Sequence, residues 1–116
     1  MSVYTDELIA TIAASASLSS AVHIGGRWTL VGVKYPAAWT AAVLSFQVSF
    51  DGVNFFNLLD DAGSELTKTV AVSEFRELDA SEFKTAIFLK VRSGTAASPV
   101  VQAAARTISL CKRRYL

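Results

Sequence analysis

The chain has few of the residues that mark disulfide-rich, metal-binding or catalytic proteins. Its 116 residues include one cysteine, Cys111, and one histidine, His23. A lone cysteine can form neither an intramolecular disulfide nor a thiolate cluster, so Cys111 is expected to be a buried, inert thiol made in a reducing compartment. A lone histidine offers no imidazole pair, and no serine lies in a G-x-S-x-G pattern. These features predict that the chain is not an enzyme and holds no metal or other cofactor.

The chain also lacks a dominant charge and a long apolar run. Eleven basic and ten acidic residues give a net charge of +1, which provides no overall field to attract nucleic acid or an anionic membrane. No apolar run approaches the roughly 20 residues of a transmembrane helix. Asp6 and Glu7 stand where a secretory signal would carry positive charge. We therefore expect synthesis in the cytoplasm and no membrane partner.

What the chain does have is alternation of apolar and polar residues, most legibly in SFQVSFDGVNFFNLL, residues 45–59. Successive side chains of a strand point to opposite faces, so this pattern predicts a strand at 43–50 with one apolar face. Asp51-Gly52 favours a tight hairpin turn, with a return strand at 55–59. The residues predicted to face the core are Leu44, Phe46, Val48 and Phe50, and those predicted to face away are Ser45, Gln47 and Ser49.

Similar patterns predict about eight strands in all. The other candidates are residues 8–12, 21–24, 28–35, 65–72, 85–92 and 100–111. In residues 85–92, Ile87, Leu89 and Val91 are predicted to face inward and Phe88, Lys90 and Arg92 outward. Residues 73–83 break the alternation and predict a loop with a helical turn that inserts Leu78 and Phe83 into the core. Regularly spaced short strands predict an all-β protein, an antiparallel β-sandwich of the jelly-roll type.

The chain length allows one core. Residues 1–20 are expected to form an N-terminal arm or first strand, and residues 21–111 a single β-sandwich domain. Residues 112–116 are expected to be a solvated basic tail.

Two segments resemble the discoidin-like (galactose-binding-like) jelly rolls. VSFDGVNFFNL, residues 48–58, resembles the central hairpin of that fold. AIFLKVRSG, residues 86–94, together with the segment 103–110, is similar to its last two strands.

A closer resemblance is to small structural proteins of tailed bacteriophages and related particles. It rests on YPAAWTAA at 35–42, the Asp-Gly hairpin, LKVRSGT at 89–95 and PVVQAA at 99–104, and it covers residues 24–111. The resemblance implies a virion protein, such as a head decoration, a head-spike base or a tail-associated component. Its implied partners are shell, vertex or tail proteins and further copies of itself in a homo-oligomer.

Several large or basic side chains are candidates for such contacts. Trp39 lies between predicted strands and is either a plug of the core or an anchor in a partner's pocket. Tyr35 and Phe88 are assigned to outward faces, where a neighbouring subunit would cover them. The full set of interface candidates is Tyr35, Trp39, Phe88, Arg92, Arg113, Arg114 and Tyr115.

The alternative function is a glycan-binding module that attaches to a host surface. Its candidate residues are Asn54, Phe56 and Asn57, which could supply an aromatic platform with amide partners. Discoidin domains often join their ends through a cysteine pair, which this chain lacks. Asp60 and Asp61 lie in a glycine-containing loop and are expected to be turn formers rather than Ca²⁺ ligands.

Overall fold

The computed structural model describes residues 3–115, and side chains through residue 114. Two antiparallel sheets pack face to face. Within the described residues the strands are β1 (Val3–Ile12), β2 (Val22–His23), β3 (Thr29–Lys34), β4 (Leu44–Ser49), β5 (Phe56–Asn57), β6 (Thr67–Lys68), β7 (Phe75–Glu77), β8 (Phe88–Ser93) and β9 (Arg106–Tyr115). The predicted all-β, antiparallel β-sandwich is confirmed.

Each sheet combines strands from distant parts of the chain. The first has the order β1-β9-β3-β7, and the second has the order β2-β8-β4-β5, with β6 also paired to β4. The first and last strands pair over ten consecutive residues, from Val3 opposite Tyr115 to Ile12 opposite Arg106. Residues 3–12 and 106–115, the first and last described segments, therefore lie side by side in one sheet.

The return strand of the predicted hairpin is interrupted. β8 pairs with β4 along the whole of β4, so β5 and β6 share the opposite edge of β4. Residues 59–65 leave this edge as a loop, closed at its base by a bridge between Leu59 and Glu65. β5 and β6 thus occupy one strand position in the sheet, and the loop at residues 59–65 separates them.

The core lies between the inner faces of the sheets. Phe46 and Phe83 are fully buried and meet edge to face, with ring centroids 5.2 Å apart. Phe83 comes from a 3₁₀ turn (Ala80–Phe83) in which the Ser81 backbone amide donates to the Asp79 carboxylate. The predicted helical turn, with Leu78 and Phe83 buried, is confirmed. Burying a side chain of this size stabilises the fold by about 1.5–3 kcal/mol.

Several strands differ from the sequence prediction: β1 begins at Val3 rather than at residue 8, β6 is shorter than predicted, and β7 and β9 also differ. β7 lies within the segment predicted to be a loop, and the Phe75 ring packs over Gly32, where an added Cβ would lie 2.4 Å from the ring. β9 begins at Arg106 rather than at residue 100. The buried Gln102 side-chain amide exchanges hydrogen bonds of 2.8 and 3.0 Å with the backbone of Thr40. These bonds tie the segment before β9 to the loop between β3 and β4.

The predicted faces of β4 are also partly wrong. Leu44 and Phe46 are buried as expected, but Phe50 is exposed because it lies beyond the end of the strand, in the turn. Ser45 is fully buried, and its hydroxyl donates to the Gly94 carbonyl at 2.6 Å. A loop from residue 93 onward covers this part of the outer face, which the alternation of β4 alone does not reveal.

Residues 112–115 continue β9 instead of forming the solvated tail that we expected. The Lys112 ammonium lies 4.5 Å from the centre of the Trp28 ring and donates to the Ile24 carbonyl at 2.9 Å. The Arg114 guanidinium lies 4.9 Å from the Tyr4 ring and 5.0 Å from the Trp28 ring. These cation–π contacts hold the basic strand end against aromatic rings. The Tyr115 side chain and Leu116 fall outside the described part.

Candidate interaction surface

The hairpin turn after β4 is organised by one carboxylate. The Asp51 side chain accepts hydrogen bonds from the Val53 amide at 2.8 Å, the Asn54 amide at 2.9 Å and the Asn54 side chain at 2.8 Å. Gly52 has a φ of +78°, and a Cβ there would lie 3.1 Å from the Phe88 ring. These contacts restrict the backbone of the turn.

These hydrogen bonds make the turn sensitive to acid. The Asn54 backbone amide is the largest of the influences that hold the pKa of Asp51 far below its usual range, followed by the Val53 amide. A carboxyl whose pKa is lower in the folded state stabilises the fold above its unfolded pKa, about 3.9, and this contribution is lost as the pH falls below that value. We expect Asp51→Asn to show a shallower loss of stability than the wild type between about pH 5 and pH 2.

Urea unfolding midpoints measured across that pH range test this expectation. Asp61→Asn, in the neighbouring loop, is the control and should retain the acid dependence of the wild type. Parallel curves for the wild type and Asp51→Asn would contradict the role assigned to the Asp51 carboxylate.

The hairpin exposes large apolar side chains. Phe50 is 65% exposed, Val53 79%, Phe56 60% and Leu59 48%. We call residues 50–59 the apolar hairpin. Exposed apolar side chains gathered in one region of a small domain are typical of surfaces that contact another molecule. Alternation assigned Phe50 to the core and did not single out Val53 or Leu59, because all three lie outside the paired part of β4.

The aromatic interface candidates occupy different environments. Tyr35 is only 2% exposed, so its assignment to an outward face is wrong; burial raises the pKa of its hydroxyl. Phe88 is half-buried and stacks on His23, with ring centroids 4.6 Å apart. Trp39 is half-buried against the core, and its indole N–H donates to the Ala42 carbonyl at 3.0 Å. Trp39 thus has the contacts of a core plug.

Arg92, predicted to face outward, is buried instead. Its guanidinium donates to the Glu65 carboxylate at 2.7 Å, to the Asn57 side-chain oxygen at 3.0 Å and to the Ser45 hydroxyl at 2.9 Å. Glu65 also accepts from the Ala96 amide at 3.0 Å. This network, which we call the Arg92 cluster, ties the loop at 59–65 and the loop after β8 to the outer face of the second sheet. Arg92 is therefore a structural residue of the domain.

The glycan candidates do not converge on one open site. Asn54 uses its side-chain N–H on Asp51, and the Asn57 side-chain oxygen accepts from Arg92. All three residues are exposed, Phe56 at 60%, but both asparagines are engaged in hydrogen bonds within the domain. Asp60 accepts from the amides of residues 62 and 64 at 3.0 and 2.9 Å, which is the turn-forming role expected from the sequence. No group of three potential metal ligands occurs among the residues that the structure describes.

The outer face of the first sheet carries a shallow groove of about 490 Å³. Half-buried Cys111 lies in its floor, so the expectation of a buried thiol is wrong. Arg113, an interface candidate, is half-buried on the same strand and lies 3.4 Å from the Thr5 hydroxyl. The other lining residues are Thr5, Asp6, Glu7, Lys34, Phe75 and Ser109.

No family model, curated protein or solved structure matches the chain. The resemblance to phage structural proteins therefore stays a prediction. Over residues 3–115, none of the helical structure has the length and apolar character needed to cross a bilayer.

Proposed function

We propose that the chain is a non-enzymatic structural protein of a tailed-phage-like virion and that it acts through contacts with neighbouring subunits. The observation that carries the proposal is the apolar hairpin, in which a hydrogen-bonded turn presents large apolar side chains to solvent. Covering such side chains with a neighbour removes apolar area from water, the main favourable term in association. The particle itself is suggested by the resemblance of residues 24–111.

The finer topology in this proposal is a jelly roll. Counting interrupted β5 and β6 as one position gives eight strand positions, with the orders 1-8-3-6 and 2-7-4-5 in the two sheets. Successive positions alternate between the sheets, except at the hairpin that joins the fourth and fifth. Eight strands wound in this way between two sheets support the jelly-roll type, an architecture common in capsid proteins.

Head decoration, head-spike base and tail-associated component are the roles that fit this proposal, with shell, vertex or tail proteins as partners. The glycan-binding alternative is favoured by the exposed Phe56 ring alone. The two functions differ in what the chain should be found attached to, and one experiment can separate them.

The test counts copies of the chain in purified particles by quantitative mass spectrometry. Particles should contain the wild-type chain, and Phe50→Ser combined with Phe56→Ser should lower its copy number at least about tenfold, because the anchors of the contact are lost. Val101→Ser is the matched control, since Val101 is similarly exposed but lies outside the hairpin. Surface substitutions of this kind should leave the unfolding midpoint nearly unchanged.

Absence of the wild-type chain from particles would overturn the virion assignment. If that absence came with binding to a glycan array that Phe56→Ala removes, the glycan-binding function would replace it. Equal copy numbers for the hairpin variant and the control would instead show that the contact lies elsewhere on the chain.

A further inference from the structure

The edge strands of the two sheets differ greatly in length. β2, β5, β6 and β7 each have two or three residues, whereas β1 has ten. β9 pairs with one side of β1, and no strand among residues 3–115 pairs with the other side. A long, open edge offers a row of backbone donors and acceptors to another strand, while short edges offer little. β1 is therefore the edge best suited to strand addition.

Few of the features that usually protect an edge are present in β1. Its sequence, VYTDELIATI, contains no proline, glycine or lysine. Its pairing with β9 has no register shift, so no bulge turns the edge away. The protective residues present are Asp6 and Glu7, and they restrict which partner and which register can be accepted.

One hydrogen bond shows which amides face the open side. The Glu7 backbone N–H donates to the Asp6 carboxylate at 2.8 Å, so it points away from β9. Backbone groups of a strand alternate between its two sides, which places the amides of Thr5, Ile9 and Thr11 on the same open side. These alternate residues can form an antiparallel ladder with a second strand once the Asp6 carboxylate turns away.

We propose that a second copy of this chain occupies this edge, with the two β1 strands antiparallel about a twofold axis at Leu8. Antiparallel pairing of a strand with its own copy is self-complementary, as a twofold interface requires. In the described part of the chain, β1 is also the only open edge long enough to match β1. The result is a continuous eight-stranded sheet formed by the four-stranded sheets of two copies.

Charge and length select the register. A register centred on Asp6 or Glu7 would place identical carboxylates directly opposite each other, which is destabilising. Centring on Leu8 places Glu7 opposite Ile9 of the second copy. The register centred on Leu8 also gives the longest ladder of those without opposed carboxylates, because it pairs residues 4–12. Centring on Ile9 would pair only residues 6–12, and centring on Thr5 only residues 3–7. All of these registers keep the core faces of both sheets on the same side.

This inference rests on the proposed function only in requiring self-association, and it uses a different surface. The apolar hairpin belongs to the second sheet, whereas β1 is the edge of the first. Each copy in a β1-linked pair would therefore still present its apolar hairpin to other subunits.

Two substitutions at one position test the register. Ile9 is half-exposed. In the proposed dimer, Ile9 of each copy lies opposite Glu7 of the other copy, so the interface contains two such pairs. Ile9→Glu creates two like-charge pairs and Ile9→Lys two opposite-charge pairs. The dimer dissociation constant of Ile9→Glu, measured by sedimentation equilibrium on the full chain, should exceed that of Ile9→Lys at least about tenfold.

Hydrogen exchange of the wild-type chain provides a measurement that needs no variant. As concentration rises through the dimerisation range, the amides of Thr5, Glu7, Ile9 and Thr11 should become protected together. A chain that stays monomeric, or equal dissociation constants for the two Ile9 variants, would overturn the inference. A dimer that the Phe50→Ser and Phe56→Ser combination dissociates while β1 amides stay unprotected would also overturn it, and would leave the proposed function standing.

Discussion

Glu65→Gln is expected to lower the free energy of unfolding by about 3 kcal/mol. The substitution leaves the Arg92 guanidinium, whose side chain is 7% exposed, without its counter-charge. Removing one partner of a buried ion pair is costly because the remaining charge is poorly solvated. The Glu65 side chain is 20% exposed, so we expect the lower end of the usual range for such losses. Denaturant unfolding of the purified chain measures the change.

Glu74→Gln is the matched control. Glu74 also pairs with an arginine at 2.7 Å, but both side chains are more than half exposed, so the expected loss is less than about 1 kcal/mol. A second variant combines Glu65→Leu with Arg92→Met. It removes both charges and should lose less stability than Glu65→Gln alone. Equal losses for Glu65→Gln and Glu74→Gln would show that burial does not govern the Arg92 cluster.

Gly94→Ala is expected to cost about 3 kcal/mol, combining the strain of a positive φ with a steric clash. Gly94 has a φ of +89°, and an added Cβ would lie 2.5 Å from the Ser98 carbonyl oxygen and 2.8 Å from the Val100 nitrogen. Both are backbone atoms, so neither can move aside cheaply. The loop after β8, which also supplies the Ala96 amide to Glu65, would have to shift.

The chain contains a close control for this prediction in Gly63→Ala. Gly63 has a φ of +87°, and apart from its chain neighbours no atom of the described residues lies within 4 Å of an added Cβ. Its expected loss is about 1 kcal/mol from backbone strain alone. Thermal or denaturant unfolding of both variants measures their losses of stability, and the difference between the two losses is the cost of the steric clash at Gly94. Losses of the same size would mean that the loop at residues 93–99 shifts to make room for the Cβ with no loss of stability.

The local parts of the fold were predictable because their causes are local. Apolar and polar residues alternate through β4, and Asp51-Gly52 follows directly, so the strand and its turn can be read from consecutive residues. The helical turn that carries Phe83 also follows from a short segment in which alternation stops. The candidate surface does not follow from the sequence analysis, which names Phe56 only as a glycan-binding candidate. It places Phe50 in the core because Phe50 shares the alternation of Phe46.

The errors concern residues whose environment comes from distant segments. Arg92 occupies an outward position of β8, and it is buried because Glu65 and the loop after β8 cover it. Tyr35 is buried although it follows the end of β3. Alternation reveals which residues share a face, but it does not reveal what covers that face.

Strand periodicity and turn chemistry act over a few residues, so an all-β chain with an Asp-Gly hairpin follows from the amino-acid sequence alone. The three-dimensional structure was needed to show that, within residues 3–115, β1 lies beside β9 and has its other edge unpaired. It was also needed to show that residues 112–115 belong to a sheet. It also decided which outward positions are buried. These outcomes depend on contacts between residues far apart in the chain, whose pairing is set by the packing of the whole sandwich.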